Sequence, residues 1–299
     1  MGKLCSKEAQ ITESLVQQEN EISIPAYTSQ ADSIYALQEN KYNYFRKILF
    51  QDFLYSLVNF SNENATLEDD YNKSNIEYSM NQPFYDEKMS SDFFQSFLEN
   101  KVLKHKSLYE DAGKNESVTT IFKEEFIEII NALGLKLEQY EKDKGNSSAD
   151  RNSLVKKGHI IAFGILYCLG PNYIKIRALF NLFQQDDALK SSEKLSEFLL
   201  ALFITASYGM ASARNKLKKF SQIGAIDRDK LRELLNTSEL KDCKNLVTVT
   251  NKLMFGDDLS LSYNYQDFKM KFSKEDKDNS FGFLLTSSGI RYMLEKYNV

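Results

Sequence analysis

The chain has 299 residues and a mass of 34.5 kDa, with 42% hydrophobic and 13% aromatic residues, which is too apolar for a disordered chain and enough for a sizeable core. A net charge of −4 and a pI of about 5.5 provide no global positive field to hold nucleic acid by counterion release, so nucleic acid is excluded as the expected partner. Three cysteines, Cys5, Cys168 and Cys243, lack the close spacing of a CxxC metal site or a disulfide framework and fit a reducing, cytosolic compartment.

The first motif in chain order is Met1-Gly2-Lys3-Leu4-Cys5-Ser6-Lys7, with Gly after the initiator Met and Ser at the sixth position, as N-myristoylation requires. The string Met-Gly-Lys-x-x-Ser-Lys, carried here by Gly2, Lys3, Ser6 and Lys7, resembles the opening of the visinin-like and hippocalcin-like neuronal calcium sensors, which are myristoylated. That resemblance implies myristate on Gly2 and a cytoplasmic membrane face. A single myristoyl chain binds membranes only marginally, which makes Cys5 the candidate palmitoylation site for a second anchor. The remainder of residues 1–30 is polar, contains Pro25 and reads as a flexible leader.

Apolar residues recur at helical spacing through 33–60, and the Asn-, Asp- and Ser-rich stretch 61–86 with Pro83 reads as a polar insertion. Only 3 Pro and 12 Gly in the whole chain tilt the balance toward helix. A weak repeat follows, of helix, polar loop and helix. Its clearest copy has a helix over 174–183, a loop over 184–193 and a helix over 195–203, preceded by an apolar helix over 159–169 and the linker Gly170-Pro171-Asn172. Ile121 and Glu125 carry the spacing of a loop's bridging residue and last ligand, a second loop falls at 140–154, and a fourth falls at 255–268 with Tyr263 or Leu261 as its bridging residue. These units resemble EF-hands; plain helical hairpins with acidic loops would leave the same periodicity. The resemblance implies an all-α fold in two lobes, 31–170 and 171–299, built from paired EF-hand-like helix-loop-helix units with short bridging β segments at most and an extended connector over 209–240.

Calcium needs six to eight oxygens from fixed loop positions. The first loop has Lys114 and Val118 where ligands belong, and the second offers Ser147, Ala149 and Arg151 and ends on Gly158. The third has Gln184, Asp186 and Ala188. The fourth has Gly256, Asp258, Ser260 and Asp267, with Leu261 where the sharp turn wants Gly. No metal is therefore expected, and Asp258, Ser260, Asp267 and Asp186 mark where that exclusion is weakest.

No catalytic constellation appears: His105 and His159 stand apart from one another and from any cysteine, and no phosphate-binding glycine loop or nucleophile elbow is present. His159 reads as a helix-boundary residue and Cys168 as core packing. The expectation is a protein without cofactor or catalysis that binds protein partners, such as an amphipathic helix, in a groove lined by Phe180, Phe183, Phe198, Leu199, Leu202 and Phe203. The apolar C-terminal stretch 281–297 is the candidate lid on that groove. Arg214, Lys216, Lys218 and Lys219 form a basic face suited to anionic lipid or an acidic partner, or else an ordinary solvated helix face. The competing expectation is a structural subunit of a ciliary, flagellar or other cytoskeletal, microtubule-associated assembly.

Overall fold

A computed structural model describes residues 22–28, 49–59, 85–86, 88–89, 155–209 and 240–297. These residues are mostly helical, and their strands are only two residues long, in agreement with the all-α expectation. In chain order they comprise α1 (Phe50–Asn59), β1 (Lys88–Met89), β2 (Val155–Lys156), α2 (Lys157–Tyr167), α3 (Asn172–Phe183), β3 (Gln184–Gln185), β4 (Ala188–Leu189), α4 (Glu193–Ile204) and a π-helical turn, Thr205–Gly209. After the next described stretch begins, α5 (Leu240–Phe255), α6 (Tyr265–Phe272), a 3₁₀ turn (Phe281–Leu285) and α7 (Ser287–Tyr297) complete the set.

The sequence KGHIIAFGILY makes α2 apolar on every side, and a helix of that kind is stable only when it is surrounded. All 11 of its residues are buried, with α1, α4 and the π-helical turn packed around it. Lys175, on α3, is itself buried and donates to the Ile165 carbonyl at 2.6 Å, which ties α3 back onto α2 across the short connection through Pro171. The core is continuous from α1 through α7, so it crosses residue 170, where the boundary between two lobes was expected.

Ser192 caps α4 by accepting from the Leu195 amide at 3.2 Å, and Asn264 caps α6 by accepting from the Asp267 amide at 2.9 Å. At the other end of α4 the hydroxyls of Thr205 and Ser207 donate to the carbonyls of Ala201 and Phe203 at 2.7 and 2.8 Å. Such bonds back onto the preceding turn compete with the regular helical ladder, and here the α-helix gives way to a π-helical turn. The C-terminal stretch is not one helix. Thr286 is extended (φ −138°, ψ 141°) and separates the 3₁₀ turn from α7.

Residues 22–28, expected within a flexible leader, instead form an extended strap against the C-terminal segment. Ile22 and Tyr27 are each only 6% exposed, Tyr27 stacks at a tilt on Tyr292 with centroids 5.7 Å apart, and Asn172 Nδ2 donates to the Ile22 carbonyl at 2.8 Å. Each buried anchor contributes about 1.5–3 kcal/mol. The Tyr27 hydroxyl is buried beside the Ser280 hydroxyl and the Phe283 backbone, with no well-aligned hydrogen bond among the described residues. The Ser280 hydroxyl itself donates to the Phe272 carbonyl and accepts from the Gly282 amide. Apolar contact, from these two anchors and from Ile24 packed against the core, holds the strap together with the Asn172 bond.

Phe198 is fully buried and its ring lies 5.1 Å from that of Phe183. Phe198→Ala is expected to lower the unfolding free energy by about 3–5 kcal/mol, read as a shift of the urea midpoint with an unchanged slope.

Candidate functional site

Two features of the described chain bring distant residues together with defined polar geometry. The first is the junction between two loops. The 3–4 loop (between α3 and α4) is a hairpin: Gln184 pairs with Leu189 and Gln185 with Ala188, and Asp186 and Asp187 turn the chain with φ of 52° and 59°. Positive φ at both central residues is the geometry of a two-residue hairpin turn, and aspartate is among the few side chains that tolerate it. The 5–6 loop (between α5 and α6) meets this hairpin edge-on. Leu189 N–H donates to the Tyr263 carbonyl at 2.8 Å and Tyr263 N–H returns the bond to Leu189 at 3.0 Å. Of the two residues expected to bridge, Tyr263 does so, while Leu261 is half exposed. On either side of this bridge, α3 packs on α6 and α4 packs on α5, so the leading helix of each unit contacts the trailing helix of the other.

The oxygens expected to come nearest to a cation site are engaged locally. Asp258 Oδ1 accepts from the Ser260 amide at 3.2 Å and the Ser260 hydroxyl at 2.8 Å, and these bonds hold the Asp258 carboxyl below its usual range. Asp267 Oδ2 accepts from Asn264 Nδ2 at 2.7 Å as part of the α6 cap. Asp186 is 91% exposed at the hairpin tip, 3.5 Å from Lys190. Among the described residues no three His, Cys, Asp or Glu side chains converge as metal ligands.

The second feature is an ion cluster that no sequence motif announced. It joins residues 85–86, the start of α2 and the outer face of α4. Lys156 Nζ lies 2.8 and 2.9 Å from the two oxygens of Glu197 and 3.5 Å from Asp86. Lys194, one helical turn before Glu197, donates to Asp86 at 2.6 Å. His159 is buried beneath, with Nε2 3.3 Å from Glu197 Oε1 but not aligned as a hydrogen bond, and Nδ1 faces no partner among the described residues. Tyr85 closes the cluster, edge-on to His159 with centroids 5.8 Å apart. Its ring lies so close to Gly158 that an added Cβ would sit 2.0 Å from Tyr85 Cδ2, so only glycine fits there. Burial pushes the Glu197 carboxyl up, but His159 and Lys156 outweigh it and hold the group at about 2. Burial likewise pushes the phenol of Tyr85 well up, reinforced by Glu197 and Asp86.

His159 is thus a buried member of an ion cluster at the first turn of α2, where the sequence marked a helix boundary. Cys168 is buried and its thiol is pushed well up by burial against a smaller pull from Lys175, as suits a packing residue. Phe180, Phe183, Phe198, Leu199, Leu202 and Phe203 are brought together, but inside the core, where the chain's own elements cover them. The α4 face packs on α2 and α5, while α7 lies on α5 and on the π-helical turn that continues α4. Gly2, Cys5, Lys114, Val118, Ile121, Glu125, the 140–154 loop, Arg214, Lys216, Lys218 and Lys219 lie outside the described residues. No described helix is long and apolar enough to cross a membrane.

No family model matches the chain. Comparison with curated proteins and with solved structures likewise gives no match.

The ion cluster makes a pH prediction. Because the folded carboxyl of Glu197 titrates at about 2 against an ordinary 4.5, its stabilisation is present above pH 4.5 and is lost as pH falls toward 2. Allowing for solvent screening at this partly exposed group, the contribution is on the order of 1–2 kcal/mol. Glu197→Gln is expected to be less stable than the parent at pH 7, with the gap shrinking as pH drops through that window in urea titrations at stepped pH. A constant gap would remove the electrostatic account.

Proposed function

We propose that the chain is a non-catalytic, calcium-independent adaptor built from paired, degenerate EF-hand-like units and recruited to a cytoplasmic membrane face through lipid on Gly2, with Cys5 as the second anchor. The observation that carries the reading is the reciprocal Leu189–Tyr263 bridge between two helix-loop-helix units. The spacing of the second unit supports it: Gly256 follows α5, Tyr263 bridges, Asn264 caps α6 and Asp267 closes the loop, in the order an EF-hand loop would have. The ligand positions have meanwhile become structural. Asp258 and Asp267 satisfy loop and cap donors, and the 3–4 loop has shortened to a hairpin. A scaffold that keeps its helices and its bridge while committing its oxygens to itself is suited to packing and binding rather than to sensing calcium.

One observation favours the second reading, a fixed building block of a cytoskeletal assembly such as a cilium or flagellum. The six residues that would line a helix-binding groove are buried by the chain itself, so a partner helix would have to displace an internal element to reach them. Membrane recruitment separates the two readings. In native cells the intact mass is expected to exceed the Met-removed mass by one myristoyl group, and blocking myristoylation is expected to release the protein from the membrane fraction. An unmodified Gly2, or a protein that stays with an insoluble polymer after the block, favours the assembly subunit.

Calorimetric titration with calcium is expected to show no site of micromolar affinity, since Gly256 brings no side-chain oxygen to the first ligand position, Leu261 stands where the sharp turn wants Gly, and Ala188 stands at a ligand position of the 3–4 loop. A tight site would return the chain to the sensors.

A further inference from the structure

The strap over residues 22–28 lies in a surface shaped for an extended segment. At one end Asn172, the first residue of α3, holds the Ile22 carbonyl at 2.8 Å; at the other, Tyr27 is buried against Tyr292 of α7. Between them Gly282 leaves room for the chain. A Cβ on that residue would stand 3.1 Å from Ile24 Cβ and 3.1 Å from Pro25 Cδ, so any larger side chain would contest the space the strap fills. The segment Ile22-Ser23-Ile24-Pro25-Ala26-Tyr27-Thr28 carries no charge, and proline at its centre prepays part of the cost of an extended backbone. Against this built surface stands a weak hold. Asn172 holds the Ile22 carbonyl, and the Tyr27 hydroxyl lies beside Ser280 and the Phe283 backbone without a well-aligned bond among the described residues.

We propose that residues 22–28 are an internal ligand, and that the groove from Asn172 across Gly282 to Tyr292 is a docking site for an extended peptide of the same chemistry: uncharged, centred on proline, with an aliphatic anchor and an aromatic anchor five residues apart. The strap occupies the groove in the closed chain, and a partner segment takes it when the strap leaves. The two states are mutually exclusive, because both occupants need the space above Gly282. An internal strap competes at the high effective concentration of a tethered ligand, so the closed chain resists weak external peptides and yields to a matched one. This inference does not depend on the EF-hand-like reading, since it uses none of the loop geometry.

The probe is a fluorescent peptide with the sequence of residues 20–30, and the protein is the full chain. With Ile22→Asp and Tyr27→Asp together emptying the groove, the peptide is expected to bind at least tenfold more tightly than to the parent chain by fluorescence anisotropy. Adding Gly282→Val to the emptied chain is expected to abolish binding, and a scrambled peptide is expected not to bind. Failure of the emptied but folded chain to bind, or equal binding of the scrambled peptide, overturns the proposal. If the substitutions unfold the chain, hydrogen exchange on the parent decides: excess peptide is expected to speed exchange at residues 22–28 while leaving α2 and α4 unchanged. Exchange at the strap as slow as in those helices, or unaffected by peptide, overturns it equally.

Discussion

Two hydrogen bonds between Leu189 and Tyr263 set the geometry of the described body. Once these backbones are joined, the helices on either side are committed to cross-packing, α3 against α6 and α4 against α5. The side chains follow. Leu189 is buried, Tyr263 sits 6.2 Å from Phe255 and 6.0 Å from Phe281, and Phe281 lies among Phe268 and Phe272. A bridge of one residue pair is weak alone, since a two-stranded element in water is marginal. Its force comes from the aromatic contacts beside it that join the two units: Phe180 of α3 lies 5.5 Å from Tyr265 and 5.9 Å from Phe268 of α6, each pair adding about 0.5–1.5 kcal/mol beyond burial.

Much of this was legible in the sequence, for physical reasons. The spans of α2, α3 and α4 follow from apolar runs bounded by Gly170-Pro171 and by the polar hairpin, and the observed ends lie within a few residues of those expected. Tyr263 was readable as a bridge because a large apolar residue sits just before the Asn264 cap. The ion cluster was not readable. Asp86, Lys156 and Glu197 are far apart in sequence, each looks like a solvated surface residue locally, and only folding brings them together. Glu197 in particular stands just before the apolar run Phe198–Ile204, and its partner Lys156 lies 41 residues earlier. The strap misled for the opposite reason. Its anchors, Ile22 and Tyr27, sit in a polar stretch with Pro25 and no periodicity, and a segment without regular structure reads as flexible unless its docking surface is known. The C-terminal break at Thr286 was hidden because the apolar spacing continues across it.

The ion cluster and the loop junction hold the molecule differently. The junction is backbone-driven and surrounded by apolar rings, so salt and pH leave it largely untouched. The cluster ties residues 85–86 and α2 to the outer face of α4 through charges that water partly reaches, with His159 buried behind them. Removing one partner leaves another charge stranded, so its members are interdependent in a way the aromatic contacts are not. The 85–86 segment is therefore attached through both kinds of contact, Tyr85 by its ring against His159 and Phe183 and Asp86 by its charge.

Self-satisfaction of the loops carries a consequence for how the body can change shape. In a loop that binds calcium, the ion supplies the free energy that reorders the helices around it. Here Asp258 and Asp267 bond to Ser260 and Asn264, and the 3–4 loop is a hairpin with Asp186 and Asp187 at its turn. The interior is filled by the chain's own phenylalanines, and opening it would expose Phe198 and Phe203 together, at about 1.5–3 kcal/mol each before any cavity term. Beside this interior the strap is held by less: Ile22 and Tyr27 as buried anchors, Ile24 packed against the core, and the bond from Asn172. Any partner that reads this body without unfolding it must therefore work at the periphery, and the strap and its groove are where exchange costs less.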